Sequence, residues 1–374
     1  MASRCWLRAE PYATDPSMVM SAANGLLDIE WGYLRPHTPD FFTRNAVGFA
    51  YDVKAPAPVG FLAFLESIWP EHGVSPKEAA ANRQNKDTLQ DIMGHLLTGE
   101  TKYQKIFLFL GASRGGKGVL TRLITKLLGA ANVASLNAAK LGAQFGLKSL
   151  IGKQLMVVAD FRLGRHAQNT TLMIERLLNI SGEDAMSIDR KFMDDWEGRL
   201  GTRIILASNM EVVLPDDAGA LLNRLVPLVF TRSFADNPDL TLEARLEAEL
   251  PSILNWALDG LRRLEARVDE AGRPLGFIVP PAGEAALGRI ARQASTVKAF
   301  LNEMCVLGRG EMVLKADLYK AFEKWLEDND LEDHYDEGKF AKELYAASSY
   351  SVEPKKRRVS GELVPHYIGV DLRA

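Results

Sequence analysis

Cysteine is almost missing from this chain: 374 residues hold two, Cys5 and Cys305, set 300 positions apart with no His or Cys neighbour at ligand spacing. That excludes a disulfide framework and a structural zinc, and it suits a reducing compartment. Long apolar runs are missing as well. No stretch approaches the roughly 18 to 20 residues that span a bilayer. The first ten residues already carry Arg4, Arg8 and Glu10 with no apolar segment behind them, so neither a membrane anchor nor a secretory leader is expected. An excess of one charge is lacking too, since 45 Lys and Arg stand against 48 Asp and Glu for a net −3. Bulk positive charge therefore cannot drive nucleic-acid binding, although a channel lined locally with basic side chains needs none. There is no internal repeat and no low-complexity tract. What remains is ordinary globular composition, 47% hydrophobic and 25% charged. At roughly 150 residues per domain the length predicts two to three compact units.

The pattern divides accordingly. Asn24-Gly25 and the Pro-containing stretch 36–40 punctuate short apolar segments, and residues 61–69 and 89–97 repeat apolar side chains at helical spacing with Gly99 as a stop. From residue 105 the texture changes. Ile106-Phe107-Leu108-Phe109-Leu110 is a short apolar run ending in glycine, as a buried parallel strand would be. Residues 155–159, 203–207 and 225–230 are further strand candidates, the last placed at a sheet edge or a strand start by Pro227. Residues 240–267 read as helical and charge-laced, and the Gly/Pro-rich stretch 271–283 reads as a linker. Helices near 284–305, 315–328 and 337–346 then precede two strand-like pieces around Lys355-Lys356-Arg357-Arg358. The expected fold class is α/β, with a small helical domain over 1–100, a P-loop NTPase core with a helical extension over 101–270, and a winged-helix-like DNA-binding unit over 284–374.

One motif carries chemistry directly. Gly111-Ala112-Ser113-Arg114-Gly115-Gly116-Lys117-Gly118 follows a strand and precedes an amphipathic helix starting near Val119, and it fits GxxxxGK with Gly118 where Ser or Thr is usual. Glycines let successive N–H groups turn toward one anion, the helix N-terminus adds its positive end, and Lys117 can reach the β- and γ-phosphates. Gly111, Ser113, Arg114, Gly115, Gly116, Lys117, Gly118 and Val119 are thus the expected nucleotide contacts. Asp160, ending the second strand candidate, is placed to hold Mg²⁺ or orient an attacking water, and Asn209, ending the third, to position water against the γ-phosphate.

On these residues the chain resembles the superfamily 3 helicases of the AAA+ class, in particular the helicase portion of phage, plasmid and poxvirus primase-helicases. Residues 24–28, 38–40 and 89–101 resemble the family's N-terminal domain. Residues 181–191 match its DNA-contacting hairpin, which gives Lys191, helped by Arg190, the implied role of gripping the nucleic-acid backbone inside a ring. Residues 216–224 resemble its arginine-finger segment, so Arg224 is implied to reach the γ-phosphate held by an adjacent subunit. The tail resembles the family's winged helix, with Lys355, Lys356, Arg357 and Arg358 as phosphate contacts on the wing; that basic run also fits a nuclear-import signal. The resemblance implies ATP and Mg²⁺ as cofactors and single-stranded and forked DNA as partners. It also implies a homo-hexamer moving 3′ to 5′, a partner primase and a cytoplasmic location, the host's for a phage-encoded chain. No primase unit precedes the N-terminal segment, so a stand-alone helicase or a fragment is expected. Two positions depart from the pattern: Gly118 lacks the metal-binding hydroxyl, and Ala159-Asp160-Phe161-Arg162 offers no second carboxylate. Both leave room for an ATP-dependent initiator or loader that clamps an origin without processive unwinding. A P-loop small-molecule kinase is the third reading, and the C-terminal pattern argues against it.

Overall fold

The computed structural model describes residues 16–39, 41, 43, 45–161, 170–209, 212, 214, 219–236, 239–294, 296–329, 331, 335–348, 351–359 and 362–373. These group into two compact units, one ending at Leu287 and the other beginning at Gly288, with Leu214 counted in the second.

The first unit opens with strands β1 (Val19–Ala22), β2 (Gly25–Asp28) and β3 (Leu34–Arg35) in one antiparallel sheet. Ala22 pairs with Gly25, so Ala23 and Asn24 form the turn between β1 and β2. Helices α1 (Val59–Ile68) and α2 (Pro76–Leu97) follow, the second capped by the Ser75 side chain, which accepts from Glu78 N, with Pro76 in its first turn. Strand β4 (Ile106–Gly111) is almost wholly buried and runs into α3 (Lys117–Leu128). Strand β5 (Val133–Leu136), the short helix α4 (Ala138–Leu141), β6 (Leu155–Val158) and α5 (Thr170–Ser181) come next. The hairpin of β7 (Met186–Arg190) and β8 (Met193–Gly198) leads to β9 (Arg203–Ser208), then α6 (Gly219–Leu222), β10 (Leu225–Phe230), α7 (Leu242–Ala248) and α8 (Leu250–Glu265).

Five of these strands form a wholly parallel sheet in the order β10-β4-β9-β6-β5. β10 is an edge strand, which is where Pro227, having no N–H to give, is tolerated. β9 lies between β4 and β6, so the ends of β4, β9 and β6 face one crevice.

The expected separate helical domain over 1–100 is not what forms. Its first described part is sheet rather than helix, and Met20, Leu27, Phe61, Trp69, Leu89 and Leu96 belong to the same buried cluster as Phe107, Phe109, Leu228 and Leu254. α1 is tied to the parallel sheet by Trp69, whose indole Nε1 donates to Val229 O at 2.8 Å and whose ring lies 4.9 Å from that of Phe230. α2 and α8 cross with backbones touching. A Cβ on Gly94 would lie 2.4 Å from Ala257 O, and one on Gly260 would lie 2.2 Å from Gln90 O. The expected linker is also packed: Arg267 donates to Gly276 O, and Phe277 is buried among the rings of His95, Tyr103 and Phe107. A Gly/Pro-rich composition bends the chain here without freeing it. The division between units falls inside α9 (Pro281–Ala294), after Leu287.

The second unit contains α10 (Thr296–Met304), β11 (Cys305–Leu314), α11 (Lys315–Asp328), α12 (Glu337–Ala347), β12 (Glu353–Val359) and β13 (Glu362–Leu372). Its antiparallel sheet runs β11-β13-β12. Phe300, Phe322, Trp325 and Phe340 stack mostly edge to face at the centre of a core of its own. Long β11 was not foreseen; its register shifts between Leu307 and Met312, which breaks the alternation that marks a strand in sequence. Among the described residues no helix is long and apolar enough to cross a membrane.

Candidate functional site

The loop between β4 and α3 takes its shape from glycine. Gly111 has φ +142° and Gly116 φ +94°; a Cβ on Gly111 would sit 2.0 Å from Phe230 O, one on Gly115 2.8 Å from Arg232 O, and one on Gly116 2.9 Å from the Ile68 side chain. Arg114 is also left-handed, at φ +58°. The segment after β10 backs the loop: Phe234 N donates to Arg114 O at 3.0 Å and Ser233 Oγ to Ser113 O at 3.3 Å. Lys117 is buried, and its ammonium donates to Gly111 O at 2.6 Å and Ala112 O at 2.7 Å. Burial lowers its pKa below the ordinary lysine value.

The loop opens on a cleft of about 990 Å³. Phe64 and Ala63 of α1 line one side, Phe234 and Leu242 another, and Arg122, Asn209, Asp239, Glu243, Arg245 and Glu249 bring charge or hydrogen-bonding capacity to it. Arg245 pairs with Asp239, and Arg122 with Glu243. Glu249 joins the walls, its Oε1 accepting from Gly60 N and its Oε2 from Phe61 N, both at 2.8 Å. A carboxylate at the start of α1 satisfies orphan N–H groups and meets the positive end of the helix. Apart from Asn209, the sequence pattern singles out none of these wall residues. Glu249 and Gly60 are 189 positions apart, and no local pattern signals a pair at that distance.

Asn209 follows β9 directly and lines the cleft, and its Nδ2 donates to Asp160 Oδ1 at 3.2 Å. β6 closes at Val158, so Asp160 stands two residues beyond it in a left-handed turn at φ +52°, held where Phe161 N donates to Ala207 O. Sites in parallel sheets form at the carboxyl ends of the strands, and the phosphate-loop residues, Asp160 and Asn209 all lie there.

The glycine cradle and Lys117 fit a polyphosphate. A divalent ion fits less fully: Gly118 has no hydroxyl, the Thr121 hydroxyl is spent on Gly118 O, and among the described residues no group of three His, Cys, Asp or Glu side chains could hold a metal. Asp160 is the carboxylate that the sequence pattern leads one to expect for Mg²⁺.

The other expected residues lie elsewhere. Arg224 precedes β10 at the amino ends of the strands, where its carbonyl accepts from Ile106 N. Its guanidinium donates to Leu178 O and, at 2.8 Å, to Ser181 Oγ, at the C-terminal turn of α5. Residues 216–218 of the expected finger segment and Arg162 lie outside the described residues. Arg190 and Lys191 end the β7–β8 hairpin: Arg190 is half-buried, its Nε donating to Asp194 O at 2.7 Å, while Lys191 is exposed with its Nζ 4.9 Å from the centre of the Phe192 ring. In the second unit Lys355, Lys356, Arg357 and Arg358 are exposed side by side on β12, an edge strand.

Two family models match the chain. A family of unknown function, DUF5906, matches over residues 109–224, which takes in the phosphate loop, the hairpin and Arg224. A model described as D5 N terminal like matches over residues 3–70. Among solved structures the chain is similar to the apo NrS-1 C terminal region (305-718), with a TM-score of 0.57 and 11% identity over 90% of this chain and 84% of that one. It is also similar to the A form of the same C terminal region, with a TM-score of 0.55 and 13% identity over 96% of this chain and 84% of the other. At these identities the likeness is one of fold.

Proposed function

We propose that the protein is an ATP-driven, ring-forming DNA helicase of the superfamily 3 type that serves replication of a phage, plasmid or other mobile element. The observation that carries this reading is the position of β9 between β4 and β6, which sets the Asn209–Asp160 pair at the carboxyl edge beside the glycine cradle. The D5 N terminal like match and the NrS-1 fold support the replication setting.

On this reading Lys117 exchanges its two carbonyl partners for β- and γ-phosphate oxygens. Asp160 holds Mg²⁺, and Asn209 orients the attacking water. Bound Mg²⁺–ATP supplies the phosphoanhydride to be cleaved. Arg224 serves the site of a neighbouring copy, and Lys191 holds a phosphate of the single strand inside a hexameric ring. The order α10, β11, α11, α12, β12, β13 supports reading the second unit as a winged helix, with β12 and β13 flanking the wing. Its four cations suit phosphate contacts.

Gly118 and the lone Asp160 favour a second reading, an initiator or loader that clamps DNA and turns over slowly. Forked-duplex unwinding and DNA-stimulated ATP hydrolysis separate the two. In a helicase, Lys191→Ala abolishes both the stimulation and strand separation and flattens the salt dependence of single-strand binding, since each subunit loses one phosphate contact. Normal unwinding by that variant would remove the hairpin from the mechanism. A wild-type protein that binds a fork but shows no stimulated turnover would favour the clamp.

A further inference from the structure

The tip of the β7–β8 hairpin has a residue that the fold does not explain. Phe192 is 93% exposed, so it contributes nothing to a core. Its backbone is left-handed at φ +62°, a conformation that suits glycine or asparagine and is a genuine outlier for a bulky side chain. Stability alone would place glycine here. Strand β8 of the hairpin is acidic, with Asp194, Asp195 and Glu197 all exposed, so it repels a phosphate backbone. The tip is suited to touch nucleic acid, and it offers one aromatic ring with the Lys191 ammonium over it, 4.9 Å from its centre.

We propose that Phe192 is a base-stacking residue, its ring laid against a nucleobase of the same single strand whose phosphate Lys191 holds. This rests on reading the hairpin as the DNA contact. Aromatic side chains serve sequence-independent single-strand binding in this way because every base has a π-face. A motor that must pass any sequence needs a contact of that kind. The left-handed backbone turns the ring outward at the extreme end of the hairpin, where a regular turn would present only glycine.

The test uses the full-length protein and a fluorescent oligonucleotide, compared with an abasic strand of the same length. Wild type is expected to prefer the base-bearing strand by about tenfold or more, the loss expected for one stacked base. Phe192→Gly should erase that preference while its melting temperature stays equal or rises. Phe192→Tyr should keep the preference, and Phe192→Leu should lose it. Should Phe192→Gly retain the preference while Lys191→Ala weakens binding to both strands, the stacking assignment fails and the hairpin reading stands. Normal binding by both variants would overturn the hairpin reading as well. Loss of ring assembly by Phe192→Gly in sedimentation would overturn stacking in favour of a contact between subunits.

Discussion

Four glycines of the phosphate loop look alike in sequence and are not alike in space. Gly111, Gly115 and Gly116 face backbone or packed side chains at distances no Cβ can occupy, but at Gly118 the only neighbour within 4 Å is the flexible Arg122 guanidinium, 3.1 Å away at its nearest. The missing hydroxyl is therefore a choice of side chain and not a demand of the backbone. Gly118→Thr is expected to fold with wild-type stability as Arg122 shifts aside. On the proposed reading it should move the Mg²⁺ dependence of ATP hydrolysis to lower concentration by supplying a hydroxyl ligand. A titration of Mg²⁺ against turnover checks this, and an unchanged midpoint would mean that position 118 does not face the metal. The cradle was readable because its chemistry is compressed into eight consecutive residues. The aromatic walls and the Glu249 clamp were not, because they arrive from α1, from the segment after β10 and from the junction of α7 and α8 through folding alone.

At the scale of elements, α1 and α2 are joined by an ionic cluster. Glu66 accepts from Lys86 Nζ at 2.5 Å and from His72 Nδ1 at 2.9 Å, while Glu71 takes Lys86 and Arg83. The Lys86 bond, aided by His72 and the N–H groups of Glu71 and His72, lowers the Glu66 pKa from 4.5 to about 2. A depressed folded pKa adds stability that is full above the unfolded value and is lost as pH falls through the folded one. The stability gap between wild type and Glu66→Gln should thus be constant above pH 4.5 and shrink between there and about pH 2. Urea denaturation of both proteins at neutral pH and midway through that window measures it. A gap independent of pH would show that the cluster adds nothing through this carboxylate. Helix α1 and the C-terminal part of α2 were visible as apolar periodicity, whereas the polar, Ala-rich start of α2 was not. Their attachment was not visible either: Gly94 and Gly260 are the places where α2 and α8 touch, and no local pattern marks them as such. Phe277 lay in an expected linker, and only the pocket formed by His95, Tyr103 and Phe107 explains it.

For the whole molecule, the register of β10 on β4 decides what one copy can do alone. Six paired residues separate Arg224 from the phosphate loop, roughly 20 Å along the strands, so Arg224 cannot serve its own site. As placed, it caps α5. Arg224→Ala is expected to cost about 1 kcal/mol of stability through the lost cap. If it acts in a neighbour's site, turnover should fall by about 10³ with nucleotide binding unchanged. Mixing Arg224→Ala with Lys117→Ala subunits should restore hydrolysis, since some interfaces then pair an intact loop with an intact arginine. Mixed rings without recovery at any ratio would confine Arg224 to its helix-capping role.

The bond from Trp69 to Val229 has a consequence for synthesis. The ribosome makes the α1 layer long before it makes the strand that anchors it, and the intervening 160 residues take on the order of 10 to 30 s at ordinary elongation rates. Throughout that interval Phe61, Phe64 and Trp69 lack their sheet, and the emerging polypeptide is exposed to aggregation and to chaperones. Once β10 and α8 emerge, the two ends of the first unit close together. A nascent chain stalled before residue 225 should therefore remain protease-sensitive at α1, and one extended past residue 265 should not.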